Sequence, residues 1–143
     1  MQPGARLCSV QDILPLRERY REEMNCQITH DSIHRRKGWT LSYLLTLGGI
    51  TVGYGLVAIA GPWKEKPTMI EFYVLPEHRG RVFDLFGAFL AASGARFIEI
   101  QSNATLLTVM LHTWSRDVTS EKIVFHDRLT TALPSNGGIL RRV

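Results

Sequence analysis

The stretch Glu71-Phe72-Tyr73-Val74-Leu75-Pro76-Glu77-His78-Arg79-Gly80-Arg81 sets a carboxylate, two arginines and a glycine between an apolar strand and an amphipathic helix. A strand–basic turn–helix unit of this kind aims backbone N–H groups and a positive helix end at an anion. The bland alternative is an ordinary strand–turn–helix connection. Glu71 by itself reads as a strand glutamate that faces solvent or pairs with an arginine. His30 and His34 stand four apart beside Asp31, a spacing that can hold zinc. No third ligand has a fitting spacing, so no metal site is expected. His78, His112 and His126 read as solvated or local capping groups. No Ser-His-Asp or Cys-His set can be picked out, and Cys26 reads as an idle thiol.

The elements that must position these groups follow from periodicity. Ile13, Leu16, Tyr20 and Met24 predict a helix over 12–25, with Asp12 as N-cap, Pro15 in the first turn and Arg19 paired to Glu23. Residues 29–36 predict a short second helix ended by Gly38. Two period-two runs around Gly48-Gly49, over 41–47 and 52–58, predict an antiparallel hairpin. A third strand is expected over 68–75, with Ile70, Phe72 and Val74 on one face and Met69, Glu71 and Tyr73 on the other. Val82, Leu85, Phe86, Phe89 and Leu90 form the stripe of a helix capped by Gly94. A strand over 96–102, a helix opened by Asn103 as N-cap, a strand over 122–129 and a short last strand over 139–143 complete the order. The expected fold class is α/β, a single domain over 1–143 with a mixed, mostly antiparallel central sheet flanked by helices on both faces.

Val74, Pro76, Glu77, Arg79 and Gly80 resemble the acyl-CoA-binding core of the GNAT N-acetyltransferase superfamily, V-x-P-E-x-R-G-x-G-x-G. Val82 and Asp84 replace the last two glycines. The element order is similar to the family's along essentially the whole chain. Residues 31–34, 71–73, 101–103 and 125–127 also resemble the first half of longer bacterial proteins with two GNAT-like domains in tandem. The resemblance implies an acyl-CoA-dependent N-acyltransferase with acetyl-CoA as co-substrate and a small-molecule or peptide amine as acceptor. It places the pantetheine arm against Phe72, Tyr73 and Val74, and the pyrophosphate at Arg79, Gly80, Arg81 and Val82. It also implies a cofactor-binding role for Asn103, which stands where family members open the next helix with an Asn. Glu71 lies where many members keep a general base, and Asp31 and His34 fall in a loop that shapes the acceptor pocket.

Three departures count against chemistry. Val82 adds a branched side chain at the turn. Asp84 adds a negative charge, and two unit charges about 4 Å apart interact by roughly 1 kcal/mol in water and 4 kcal/mol at a surface-like dielectric. Met110 stands where the family has a proton-donating Tyr, and it cannot donate. The alternative is therefore a catalytically silent GNAT-fold binding or dimerisation module.

A length of 143 residues suits one domain. The net charge of +4 and pI of about 9.4 fit polyanions, the phosphates of CoA among them. The cations lie in short clusters such as Arg35-Arg36-Lys37 without interleaved stacking aromatics, which argues against nucleic acid. No apolar run reaches the ~20 residues of a membrane span. Met1-Gln2-Pro3-Gly4 lacks a signal-peptide layout, and two cysteines make no disulfide framework. A cytoplasmic protein is expected, with an edge at 139–143 that could pair in a homodimer.

Overall fold

The structure, a computed structural model, describes residues 1–120. The strands expected over 122–129 and 139–143, and His126, lie outside the described residues. Eight elements follow in order: β1 (Pro3–Cys8), α1 (Val10–Met24), β2 (Thr40–Leu47), β3 (Ile50–Ala58), β4 (Thr68–Val74), α2 (Val82–Ser93), β5 (Phe97–Ile98) and α3 (Thr105–Trp114). Short 3-10 turns at Ile33–Arg35, Gly61–Trp63 and Pro76–Arg81 join them.

Gly48 and Gly49 both take left-handed φ, +56° and +84°, so the two-residue β2–β3 turn has the twist that a hairpin needs. The strands lie in chain order β1-β2-β3-β4-β5, antiparallel except for the parallel β4–β5 pair. This is the mixed, mostly antiparallel sheet expected. On one face Leu45, Phe72, Val74, Leu85, Phe86, Phe89, Leu107 and Met110 pack the sheet against α2 and α3. On the other, Ile13 and Tyr20 of α1 pack on Leu44, Tyr54, Leu56 and Tyr73.

Several sequence expectations change. β1 was not foreseen. The α1 N-cap is Ser9, and Asp12 sits at its third position, accepting from Ser9 N–H (2.9 Å) and Oγ–H (2.8 Å). Those bonds hold the Asp12 carboxyl below its ordinary value. Pro15 consequently lies inside α1, not in its first turn. The helix expected over 29–36 is one 3-10 turn. β5 is two residues long, not seven. A bulge places Ile70 as an extra residue in β4, opposite Leu56 and Val57. Met69 therefore joins Phe72 and Val74 in the α2–α3 core, and Ile70 joins Tyr73 on the α1 side.

Candidate functional site

β4 and β5 pair only through Thr68–Phe97 and Met69–Ile98, closed by Glu99 N–H to the Met69 carbonyl at 3.0 Å. Beyond Met69, among the described residues, β4 has no partner on that side. Leu75 N–H bonds the Val52 carbonyl at 2.9 Å. By the strand's period of two, the backbone of Tyr73 and Leu75 faces β3, and the backbone of Phe72 and Val74 faces the unpaired side. The side chains of Phe72 and Val74 stay in the core, 2% and 0% exposed. A backbone edge is thus open while its side chains hold the sheet together.

At the end of this edge the chain bends through Pro76–Arg81 into α2. A Cβ on Gly80 would meet nothing within 4 Å, so the bend has room there. Val82 does not crowd it: its side chain is 8% exposed and packs into the core beside Leu85 and Phe86. The expectation that the branched side chain of Val82 counts against the turn is corrected by that inward packing. Asp84 points outward and accepts from Arg81 Nε at 2.6 Å, and Arg81 Nη2 donates to the Met1 carbonyl at 3.2 Å. Arg79 is also engaged. Its Nη2 donates to Glu23 Oε2 at 2.6 Å and its Nε to the Val74 carbonyl at 3.0 Å, and it lies 5.7 Å from the Tyr73 ring centre. Glu23 therefore pairs across to the bend and not with Arg19. The room survives, while both arginine charges are partly answered from within the chain.

Glu71 is 2% exposed and faces α1. Arg17 grips it with two bonds, Nε to Oε2 at 3.0 Å and Nη2 to Oε1 at 2.7 Å, and Tyr54 Oη donates to Oε2 at 2.7 Å. The arginine pairing weighed as the alternative for Glu71 is the observed geometry. Burial alone would lower the Arg17 pKa, but the bonds and charge of Glu71 more than reverse that. Burial, together with the Glu71 charge, pushes the Tyr54 hydroxyl well up, and Tyr20 likewise. Tyr20 Oη, buried, has no hydrogen-bond partner among the described residues.

Arg17 Nη2 continues to Asp31, reaching its carbonyl at 3.0 Å and its Oδ1 at 2.8 Å, and Arg21 lies 3.4 Å from Asp31 Oδ2. His34 Nδ1 sits 2.7 Å from the same Asp31 carbonyl. Burial first, then the neighbouring Arg17 charge, hold the His34 imidazole below its ordinary value. Glu71, Asp31 and His34 are therefore brought together, with Arg17 as the hub.

Asn103 is not a helix cap, since α3 starts at Thr105 with Ala104 before it. Its Nδ2 points to Cys26 Sγ at 3.1 Å, and its Oδ1 accepts from Gln101 Nε2 at 2.6 Å. Gln101 accepts from Thr29 N–H at 2.6 Å and donates to the Gln27 carbonyl at 3.1 Å. His30, at φ +63°, meets Glu99 at 2.8 Å through Nε2, and Trp63 Nε1 donates to Glu99 at 3.0 Å. These bonds hold the segment 26–31 against the residues that follow β5. Met110 is fully buried in the α2–α3 core and away from any proton-transfer role, as the sequence expects of a methionine. Among the described residues no group of three His, Cys, Asp or Glu could hold a metal, and no helix is long and apolar enough to cross a membrane.

Arg17, Tyr20, Tyr54 and Gln101 were missed by sequence reasoning. The signal for Arg17 was present. Ile13, Arg17 and Tyr20 share one face at helical spacing, and an arginine on a buried face requires a carboxylate. Glu71, the lone acid of an apolar strand, was that carboxylate.

The sequence matches no protein-family model and no curated protein. Solved structures do resemble the fold. The ribosomal-protein-alanine N-acetyltransferase from Brucella melitensis biovar Abortus 2308 superimposes with a TM-score of 0.55 at 12% identity, over 88% of this chain and 99% of that one. A predicted acetyltransferase from Clostridium acetobutylicum, solved with acetyl-CoA, gives 0.54 at 12% identity, over 87% and 96%. AAC(6')-Iy in complex with a CoA bisubstrate analogue gives 0.51 at 15% identity, over 90% and 100%. At these identities the likeness establishes architecture, and the architecture is that of the GNAT acetyltransferases.

Proposed function

We propose that this chain, which has the GNAT fold, is an acyl-CoA-dependent N-acetyltransferase acting on an amine. The observation that carries the reading is the separation of β5 from β4 after Met69, which among the described residues leaves the Phe72 backbone and the Val74 N–H facing an unpaired side, the Val74 carbonyl being taken by Arg79. That edge can pair with the amides of a pantetheine arm. The open space at Gly80 admits a diphosphate close to the bend. The solved neighbours bound to acetyl-CoA or a CoA analogue support a cofactor of this class.

In this reading the amine nitrogen attacks the thioester carbon, the C–N bond forms, and the C–S bond breaks to release CoA. Backbone N–H groups of the β4 edge stabilise the developing oxyanion. A thiol ionises near pH 8.5, so the leaving thiolate takes its proton from water without help from Met110. Glu71 contributes a fixed charge and the α1–β4 anchor. Its oxygens already accept from Arg17 and Tyr54, so the amine's proton passes to solvent. Asp31, with its side chain 31% exposed, is held by Arg17 at Oδ1 and faces Arg21 at Oδ2, so a cationic acceptor would have to displace the looser Arg21 contact.

A second reading, the silent module, is favoured by the internal pairing of Arg79 with Glu23 and of Arg81 with Asp84. Thermal melts with acetyl-CoA decide between them. Binding stabilises by about 2.7 kcal/mol at a hundredfold excess over Kd, which for a chain of this length is about 8 °C. No shift at millimolar acetyl-CoA ends the enzyme reading. If Glu23→Gln with Asp84→Ala then creates a shift that the parent lacks, the module is right.

A further inference from the structure

The chain between α1 and β2 forms one 3-10 turn where it could have formed a covering helix. Gln11, Leu14, Glu18, Arg21 and Glu22 on the outer face of α1 are consequently exposed. Two depressions, of about 700 and 320 Å³, share Val10, His34 and Arg35 and so adjoin as the two halves of a trough. Leu7, Val10 and Leu14 are among its apolar lining, and Leu7 and Leu14 are 59% and 39% exposed. The smaller half carries Arg35, Arg36 and Lys37 and no acidic residue. All three are exposed, and none makes an ion pair among the described residues.

We propose that this trough is a docking surface for an acidic, leucine-bearing segment of a partner protein. Its apolar residues would cover Leu7, Val10 and Leu14, and its carboxylates would face Arg35, Arg36 and Lys37. Charge decides the class of partner. Arg17, Arg21 and Arg35 line the larger half beside Glu18 and Glu22, so cations outnumber carboxylates there too. Trp39, the aromatic beside the cations, is covered by the Arg36 guanidinium at 4.6 Å and offers no face to a base. The chain's own residues 121–143 have the wrong sign, with Lys122, Arg128, Arg141 and Arg142 against Glu121 and Asp127. A protein segment with acidic and apolar residues in alternation answers both the unpaired cations and the exposed Leu7 and Leu14, a combination that a sugar-phosphate backbone lacks. Arg17 and His34 of the candidate site line the larger half, whereas the smaller half has no residue from β4 or β5, and the proposal does not depend on acetyl transfer.

The test is fluorescence anisotropy with a fluorescein-labelled peptide of repeated Glu-Glu-Leu. An unlabelled single-stranded oligonucleotide and vesicles containing phosphatidylserine serve as competitors. The parent should bind the peptide, more weakly as salt screens the charges. Arg35→Glu with Lys37→Glu should weaken binding by about tenfold or more, Leu14→Asp should weaken it similarly, and the exposed control Arg96→Glu should not. Peptide titration of the unaltered chain, read by amide NMR, should shift Val10, Leu14 and Gly38. The proposal is overturned if the parent does not bind, if the control loses as much, if oligonucleotide or vesicles displace the peptide at lower concentration, or if the shifts fall elsewhere.

Discussion

Replacing Arg17 with methionine should cost more stability than its position on a helix suggests. The side chains of Arg17 and Glu71 are 3% and 2% exposed, and their bonds are 2.7 and 3.0 Å long. With Arg17→Met, among the described residues, only the Tyr54 hydroxyl still answers the Glu71 charge in the core. Opposite charges about 4 Å apart at an effective dielectric of 20 interact by about 4 kcal/mol. Breaking one side of a buried pair typically costs about 3–5 kcal/mol. For a chain of this length the unfolding entropy is about 0.3 kcal/mol/K, so the melting temperature should fall by about 10–17 °C. Adding Glu71→Leu to Arg17→Met should recover much of that loss, because no stranded charge then remains. Circular-dichroism melts of the parent, both single variants and the double variant give the coupling. A loss below about 1 kcal/mol for Arg17→Met, or simple additivity of the two changes, would refute the reasoning.

Three further outcomes follow from the same geometry. Because burial holds the folded His34 below the unfolded imidazole value of about 6.5, the unfolded chain binds more protons near that pH. The stability from neutral His34 is present above pH 6.5 and is lost as the pH falls, so urea unfolding between pH 8 and 5 should show a shallower decline in His34→Gln. Gly80→Ala should leave the melting temperature within the usual surface range of about 0.5 kcal/mol, since its Cβ meets open space, yet weaken acetyl-CoA binding several-fold. Gly53→Ala should destabilise by about 1–3 kcal/mol, because the added methyl collides with the Tyr73 carbonyl and crowds the Val74 Cα, and a melt will show it.

Much of the architecture was legible because strong local chemistry enforced it. Gly48-Gly49 between two alternating runs specifies a hairpin, and Gly94 at φ +62° ends α2 as the apolar stripe implies. β1 was hidden because Pro3-Gly4-Ala5 has little strand propensity of its own and is ordered by pairing with β2 and covering by α2. Residues 29–36 looked helical, but bonds from Gln101 to Thr29, Glu99 to His30 and Arg17 to Asp31 fix another path. Those are contacts 14–72 residues apart, which no local pattern encodes. The β4 bulge at Ile70 moved Met69 to the opposite face for a similar reason, since a bulge is a property of a strand pair. At the bend, Asp84 was legible as a charge, whereas its neutralisation by Arg81 and the burial of Val82 required coordinates.

The proposed function puts acetyl-CoA along the β4 edge that is unpaired among the described residues. Titration of the ¹⁵N-labelled chain with acetyl-CoA reads that edge directly. The Phe72 and Val74 amides, followed by those of Gly80 and Arg81, should show the largest shifts. Amides at those positions that stay unmoved at millimolar acetyl-CoA, or shifts confined to other strands, would contradict it.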